Sequence, residues 1–343
     1  MGQRGERIGL SADLFDTKGR PMFGAGPLAL FSDAGLDFNV VPTHEGRLPP
    51  SAFMDYEALL IGGARVSDAE LEGESGKLRV VARNGVGYDA VDTRALSRRG
   101  ILLTNTPVAV RNAVATTAVA FILALSLRLP LKARLAREGR WKERGDHPGI
   151  GLPGRTLGII GLGGIGRELV RLMQPYGMRI LAADPHLEAE TAALAGAALT
   201  GLDDLLRQSD FVVVACLLND STRRLLNAGR LGLMKPSAYL VNVARGPIID
   251  EPALIDALRQ GSIAGAALDV FEREPPDPAN PLFTMDNVIS TAHCLCWTDS
   301  FVDAVARDAI SGIIDVMNGR LPPFVVNPEA SDHARAQSWI RAR

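Results

Sequence analysis

Three cysteines, no long uninterrupted apolar run, no surplus of either charge and no repeated segment: the 343-residue chain is defined first by what it lacks. Three cysteines cannot build a disulfide framework, and a chain of this length does not need one, so the expected compartment is a reducing cytoplasm. Lys and Arg total 37 against 39 Asp and Glu, a formal net charge of −2, and no basic run is long enough to follow a phosphate backbone. Nucleic acid is therefore not an expected partner. The opening MGQRGERIGLSADLFD holds no apolar stretch of signal-peptide length. The one long apolar stretch, 108–127, is broken by Arg111, Asn112, Thr116 and Thr117. That leaves too short a run to span a membrane and predicts a helix buried on most sides, at a domain or subunit interface.

What the chain does hold is a globular composition, with 47% hydrophobic and 22% charged residues. At ~150 residues per domain the length predicts two domains. Apolar runs of strand length alternate with helical patterns almost throughout, the mark of βαβ units and a parallel sheet. The first series has candidate strands at 7–10, 38–41, 58–61, 78–82 and 101–104, with short helical stretches at 27–34 and 68–72. Asn105-Thr106-Pro107 breaks the pattern, and a long helix follows from near Ala113. The polar, turn-rich segment 137–153 reads as a surface connection. A second series places strands at 156–160, 178–182, 211–215, 238–242, 264–268 and 287–290. Six strands with intervening helices is the count of a complete dinucleotide-binding sheet. An amphipathic segment, 301–318, closes the pattern before Gly319.

The pattern G-x-G-x-x-G occurs twice, and only context separates the two copies. The first, 149–154, follows His-Pro and runs into a strand, so it is a loop. The second, Gly161-Leu-Gly163-Gly164-Ile165-Gly166, follows the strand at 156–160 and opens a helix. Ile165, Leu169, Leu172, Met173 and Tyr176 share one face of that helix, and Gly177 stands at the C-cap position. In this context the first glycine permits a tight turn and the second lets backbone approach a pyrophosphate. The third lets helix and strand pack closely, and the pyrophosphate rests on the helix N-terminus. Asp184-Pro185 ends the next strand, 18 residues after Gly166. A carboxylate there binds the adenine-ribose hydroxyls and repels a 2′-phosphate, which favours NAD over NADP.

Three later segments, 241–246, 269–275 and 290–293, sit at or just after strand ends and carry Arg245, Glu274 and His293. Ligands of open α/β sheets bind beyond those ends. Arginine offers a planar fork for a carboxylate, histidine serves as general acid or base, and a carboxylate beside it fixes its tautomer. These are the parts for moving a proton and a hydride at a 2-hydroxy or 2-oxo acid.

The stretches ARNGVGYDAVD (82–92), LTNTP (103–107), LGIIGLGGIGRELV (157–170), LMKPSAYLVNVARGPIIDEPAL (233–254), GAALDVFEREP (265–275) and STAH (290–293) resemble the D-isomer-specific 2-hydroxyacid dehydrogenase family. The resemblance implies an α/β fold of two Rossmann-like, doubly wound parallel-sheet domains. The flavodoxin-like substrate domain would be formed by 1–107 and 296–343, and the NAD-binding domain by 108–295. It makes Arg245 the substrate-carboxylate arginine, His293 the acid/base and Glu274 its partner. It also places the backbone of Val86 and Gly87 at the substrate carboxylate and Asp269 near the nicotinamide carboxamide. Cys216, Leu217, Thr222, Val243 and Ala244 would line the cofactor, together with Arg245 and His293. The helix from Ala113 resembles one that joins two subunits in a homodimer, and the expected small-molecule partner is a 2-hydroxy or 2-oxo acid. Glu274 distinguishes the chain from formate dehydrogenases, whose relatives carry glutamine there.

The sequence departs from the family pattern after the histidine, where small residues are usual and His293-Cys294-Leu295-Cys296-Trp297 stands instead. A zinc site is not expected, since adjacent ligands rarely reach one ion and no fourth is near. Ala115-Thr116-Thr117 with Arg111 upstream marks a second departure, at the pocket or the dimer edge. Two other functions share the scaffold: an NAD(H)-binding regulatory protein, and a dehydrogenase of an unusual anion such as phosphite.

Overall fold

The structure, a computed structural model, describes residues 7–340; the segment before Arg7, part of the stretch scanned for a signal peptide, lies outside it. The chain divides into two units, Met1–Val110 with Thr298–Arg343, and Arg111–Trp297.

In the first unit, apolar runs with turn-forming flanks become five parallel strands: β1 (Arg7–Ser11), β2 (Asp37–Val41), β3 (Ala58–Ile61), β4 (Val80–Arg83) and β5 (Leu102–Thr104). Their order, β2-β1-β3-β4-β5, is that of flavodoxin-like doubly wound sheets. The helix Asp299–Met317 covers one face, burying Ala306, Ala309, Ile310, Ile313 and Val316 in a core with Ile8, Leu10, Leu60 and Val80. Thr298 caps it by accepting from the Phe301 N–H, 3.2 Å. Further on, the Asn327 side chain accepts from the Leu103 N–H (2.7 Å) and donates to the Ile101 carbonyl (3.0 Å), which clamps the returning chain to β5. The helix expected at 68–72 is instead a run of turns. Here the Glu70 carboxylate folds back to accept from the Ser67 N–H (2.7 Å), and Gly73 at φ +80° stops propagation before a second turn can form.

The second unit holds seven parallel strands: β6 (Thr156–Ile160), β7 (Arg179–Ala183), β8 (Ala198–Leu199), β9 (Phe211–Val214), β10 (Tyr239–Asn242), β11 (Gly265–Leu268) and β12 (Val288–Ser290). Six were expected. The additional one, β8, is a two-residue edge strand paired with β7, too short to carry a pattern of its own. The order β12-β11-β10-β9-β6-β7-β8 reverses direction at β6, which has β7 on one side and β9 on the other. Both faces are covered, so the central strands are apolar on successive residues. On one face the helix Arg111–Ser126 packs Ala115, Ala118, Phe121 and Ile122 into a cluster with Leu169, Val170, Met173, Val213 and Val241. Among the described residues no single helix is long and apolar enough to cross a membrane.

Candidate active site and nucleotide cradle

The glycine turn forms where β6 ends. Gly161 adopts φ +93°, a left-handed conformation that a side chain resists, and a Cβ there would stand 2.7 Å from Cys216 Cα. The turn thus lies directly against the loop leaving β9. A Cβ on Gly166 would collide with the Gly161 carbonyl oxygen, whereas Gly163 faces open space. Gly163 is the N-cap of the helix Gly164–Met173, whose first amides have no partner within the helix. Two glycines are used for closeness and one leaves room: the cradle fits a dinucleotide pyrophosphate at the positive end of a helix. Ile165 is half-buried beneath it, Leu169, Val170 and Met173 are fully buried, and Gly177 (φ +63°) closes the 3-10 turn that follows. The earlier copy of the motif, 149–154, is an irregular loop.

Asp184 stands just beyond β7, ahead of Pro185, and ties down the same turn. Its Oδ2 accepts from the Leu162 N–H (2.9 Å) and its Oδ1 from the His186 N–H (3.0 Å). Beyond β9, burial pushes the Cys216 thiol up to about 11, so it stays protonated at neutral pH. Leu217 is exposed. Thr222 closes the following loop, donating its hydroxyl to the Leu217 carbonyl (2.6 Å) while accepting from the Asn219 N–H (2.8 Å).

The loop leaving β10 is shaped by Asn242, a buried polar residue at the end of the strand. Its side chain accepts from the Ala244 N–H (3.0 Å) and donates to the Arg245 carbonyl (2.9 Å), bracketing Val243, Ala244 and Arg245. Arg245 is extended (φ −146°), with its guanidinium donating to the Ala244 carbonyl, 2.8 Å. At Gly246 a Cβ would overlap the Phe271 carbonyl and the Glu272 amide, so only glycine lets the β10 and β11 loops touch here.

That contact places the Arg245 loop beside the one carrying Glu274. The Glu274 carboxylate accepts from the Phe271 N–H (3.0 Å) through Oε1 and meets His293 Nδ1 through Oε2 at 2.7 Å. Burial pushes the Glu274 carboxyl up, but the hydrogen bond and charge of His293, the Phe271 amide and the charge of Arg245 together hold it below the usual carboxylate range. It is the ionised partner of the imidazole. His293 itself has φ +53°, a left-handed conformation uncommon for a non-glycine residue. The buried Asp269 holds that loop in place: its Oδ1 accepts from the Thr291 hydroxyl (2.5 Å) and from the Cys294 and Leu295 N–H groups (3.2 and 3.3 Å). Cys294 is exposed, while Cys296 is buried, its thiol pushed up to about 12. Among the described residues no group of three His, Cys, Asp or Glu side chains could hold a metal ion.

The second unit therefore gathers the cradle residues around β6, β7 and β9, and the Arg245, Asp269, Glu274 and His293 loops around β10, β11 and β12. Val86 and Gly87 belong to the first unit, in the loop after β4, where Asn105 donates to the Val86 carbonyl, 2.8 Å. Sequence reading did not single out Asn242 or Gly246. The one signal for either is position: they flank the Val-Ala-Arg segment at a strand end.

A parallel sheet with a glycine cradle at its reversal point, and an Arg–Glu–His set beyond the neighbouring strands, defines a dinucleotide-dependent oxidoreductase. Residues 119–294 match the model of the D-isomer specific 2-hydroxyacid dehydrogenase, NAD binding domain. Over 281 residues the chain is 40% identical to the glyoxylate reductase of Thermococcus onnurineus, covering 80% of this chain and 84% of that protein. It is 38% identical over 275 residues to the D-3-phosphoglycerate dehydrogenase of Methanocaldococcus jannaschii, covering 80% and 52%. Among solved structures, an NADPH-dependent glyoxylate/hydroxypyruvate reductase of Sinorhizobium meliloti in complex with NADP and malonate superimposes with a TM-score of 0.80 at 27% identity, covering 98% of this chain and 99% of that one. The chain belongs to the D-isomer specific 2-hydroxyacid dehydrogenase family, and it is an NAD(P)-dependent D-2-hydroxyacid dehydrogenase.

Proposed function

We propose that the protein interconverts a small D-2-hydroxy acid and its 2-oxo acid with NAD(H), using Arg245 to bind the substrate carboxylate and the His293–Glu274 pair as acid/base. The observation that carries this reading is the 2.7 Å contact between His293 Nδ1 and Glu274 Oε2. A carboxylate that is ionised at neutral pH fixes the proton on Nδ1 and commits Nε2 to the substrate oxygen. In oxidation, neutral His293 takes the hydroxyl proton at Nε2 while the C2–H electron pair departs as hydride and the C2–O double bond forms. In reduction, the imidazolium returns that proton to the oxygen as C2 receives hydride. The bound nicotinamide ring accepts or supplies the hydride. Arg245 fixes the carboxylate in a fork and orients the neighbouring C2 for both transfers.

The preference for NAD over NADP rests on Asp184, whose carboxylate is pinned by two backbone amides at the end of β7 and would face a 2′-phosphate with like charge. The glyoxylate reductases among the relatives support a small substrate. Exposed Leu127, Leu129 and Trp141, at and beyond the end of the helix Arg111–Ser126, support a homodimer through that face. Three free cysteines support a cytoplasmic location.

The test is NADH oxidation, followed by absorbance, with glyoxylate, hydroxypyruvate, pyruvate and bulkier 2-oxo acids, in wild type and Arg245→Ala. Turnover of a small 2-oxo acid with KM raised about 100-fold in the variant is expected, on the scale of a lost bidentate ion pair. Protein that binds NADH yet turns over no 2-oxo acid would overturn the proposal.

A further inference from the structure

The start of the helix Arg111–Ser126 lies across the start of the helix Gly164–Met173. A Cβ built on Gly164 would stand 2.6 Å from Arg111 Nε, 3.1 Å from Cδ and 3.2 Å from Cζ. The Arg111 side chain thus fills the space that any side chain at 164 would claim. Gly164 has an ordinary helical backbone, so here it is room for a neighbour, not a special φ, that calls for glycine. The adjoining residue ties the two helices together: Asn112 Nδ2 donates to Glu168 Oε1, 2.8 Å. Glu168, one turn into the second helix, is held down at about 2, first by its hydrogen bond to Arg171, then by Asn112, with the charge of Arg111 adding to the effect. Its two carboxylate oxygens already receive Arg171 at 3.0 and 2.7 Å.

Arg111 is therefore a cation in the first turn of one helix and over the first turn of another. Both are positive ends, where a cation is disfavoured and an anion favoured. Beside it lies the open face of Gly163 and the first-turn amides of the cradle.

We propose that Arg111 is a pyrophosphate-binding residue of the cofactor site: its guanidinium and the amides at the start of Gly164–Met173 grip the diphosphate bridge from two sides. The planar fork of arginine matches phosphate oxygens in a way the point charge of lysine does not. NAD and NADP share the diphosphate, so the inference rests on the dinucleotide site and not on the choice between them.

Titration calorimetry of the full chain with NADH, ADP-ribose and adenosine, in wild type, Arg111→Ala, Arg111→Lys and Gly164→Ala, tests it. Arg111→Ala is expected to weaken NADH and ADP-ribose at least tenfold and to leave adenosine, which lacks the diphosphate, within twofold. Arg111→Lys recovers part of the loss. Gly164→Ala, which drives the guanidinium aside, reproduces it. Unchanged ADP-ribose affinity in Arg111→Ala would overturn the proposal. So would an equal loss for adenosine, since it assigns Arg111 a structural role. A wild type that binds neither NADH nor ADP-ribose would remove the dinucleotide site itself, a failure distinct from these.

Discussion

Replacing Gly246 by alanine is the sharpest test of how Arg245, Glu274 and His293 are held. A methyl carbon needs ~3.5–4.0 Å from the backbone it packs against. At Gly246 it would meet the Phe271 carbonyl and Glu272 amide short of that by about 1.5 Å. Backbone cannot rotate out of the way as a side-chain tip can, so the loops after β10 and β11 must part. Arg245 precedes the contact on one loop, and Glu274 follows it on the other, hydrogen-bonded to the Phe271 amide. A displacement near 1 Å between the groups proposed to bind substrate and to transfer the proton costs about 100-fold in rate. Overpacking of this kind costs ~1–3 kcal/mol of stability. At ~2–4 °C per kcal/mol the melting temperature should drop by several degrees. The glycine cradle lies on other loops, but Val243, Ala244 and Asp269 lie on the parted ones, so NADH affinity should fall by less than kcat/KM does. Steady-state reduction of the preferred 2-oxo acid, NADH titration and a thermal melt read all three. A Gly246→Ala enzyme with kcat/KM within threefold of wild type and an unchanged melt would refute the reasoning, because it would mean that the two loops are not registered through this contact.

The remaining predictions concern charge. Glu274→Gln keeps the shape of the His293 partner but removes its charge; kcat for reduction should fall about 100-fold. In wild type the Glu274 carboxyl lies below its usual range, so the stabilising interaction is complete above the ordinary carboxylate pKa and is lost as pH falls through the lowered folded value. Acid unfolding of Glu274→Gln should accordingly depend less steeply on pH there, which a melt series across the acid range would show. Asp184→Ala should narrow the kcat/KM preference for NADH over NADPH about tenfold, a change on the order of one charged hydrogen bond. It should also weaken NADH itself, because the Leu162 amide loses its acceptor. An unaltered cofactor ratio would show that Asp184 serves the turn alone.

How much of this was legible in the sequence depends on whether the signal was local. The strand at 156–160 coincides with β6 because a strand buried on both faces is a continuous apolar run between turn formers, and nothing distant is needed to recognise it. The fingerprint was separable from its neighbour at 149–154 for the same reason: a strand before, a helix after. His293, Glu274 and Arg245 were visible as polar residues at strand ends. β8 was not, since two residues carry no periodicity. The turns at 68–72 were mistaken for helix because the back-folding of Glu70 onto Ser67 competes with the helical pattern only once the segment is anchored. Asn242 and Gly246 escaped because their reasons are tertiary: a bracket around a loop, and two backbones in contact. The position of Arg111 over Gly164 pairs residues more than fifty positions apart, and no spacing rule reaches that far.

The division of the chain sets a timetable for its synthesis. The five strands of the first sheet are made early, but the helix that buries one face of it, Asp299–Met317, comes after roughly 190 intervening residues. At ~5–20 residues per second the gap is about 10–40 s. Throughout it, Ile8, Leu10, Leu60 and Val80 lack the partners Ile310, Ile313 and Val316. The nucleotide-binding unit is continuous and needs nothing made later. It is therefore finished first, although it starts second, and a ribosome stalled anywhere short of residue 299 would leave the older half of the molecule waiting.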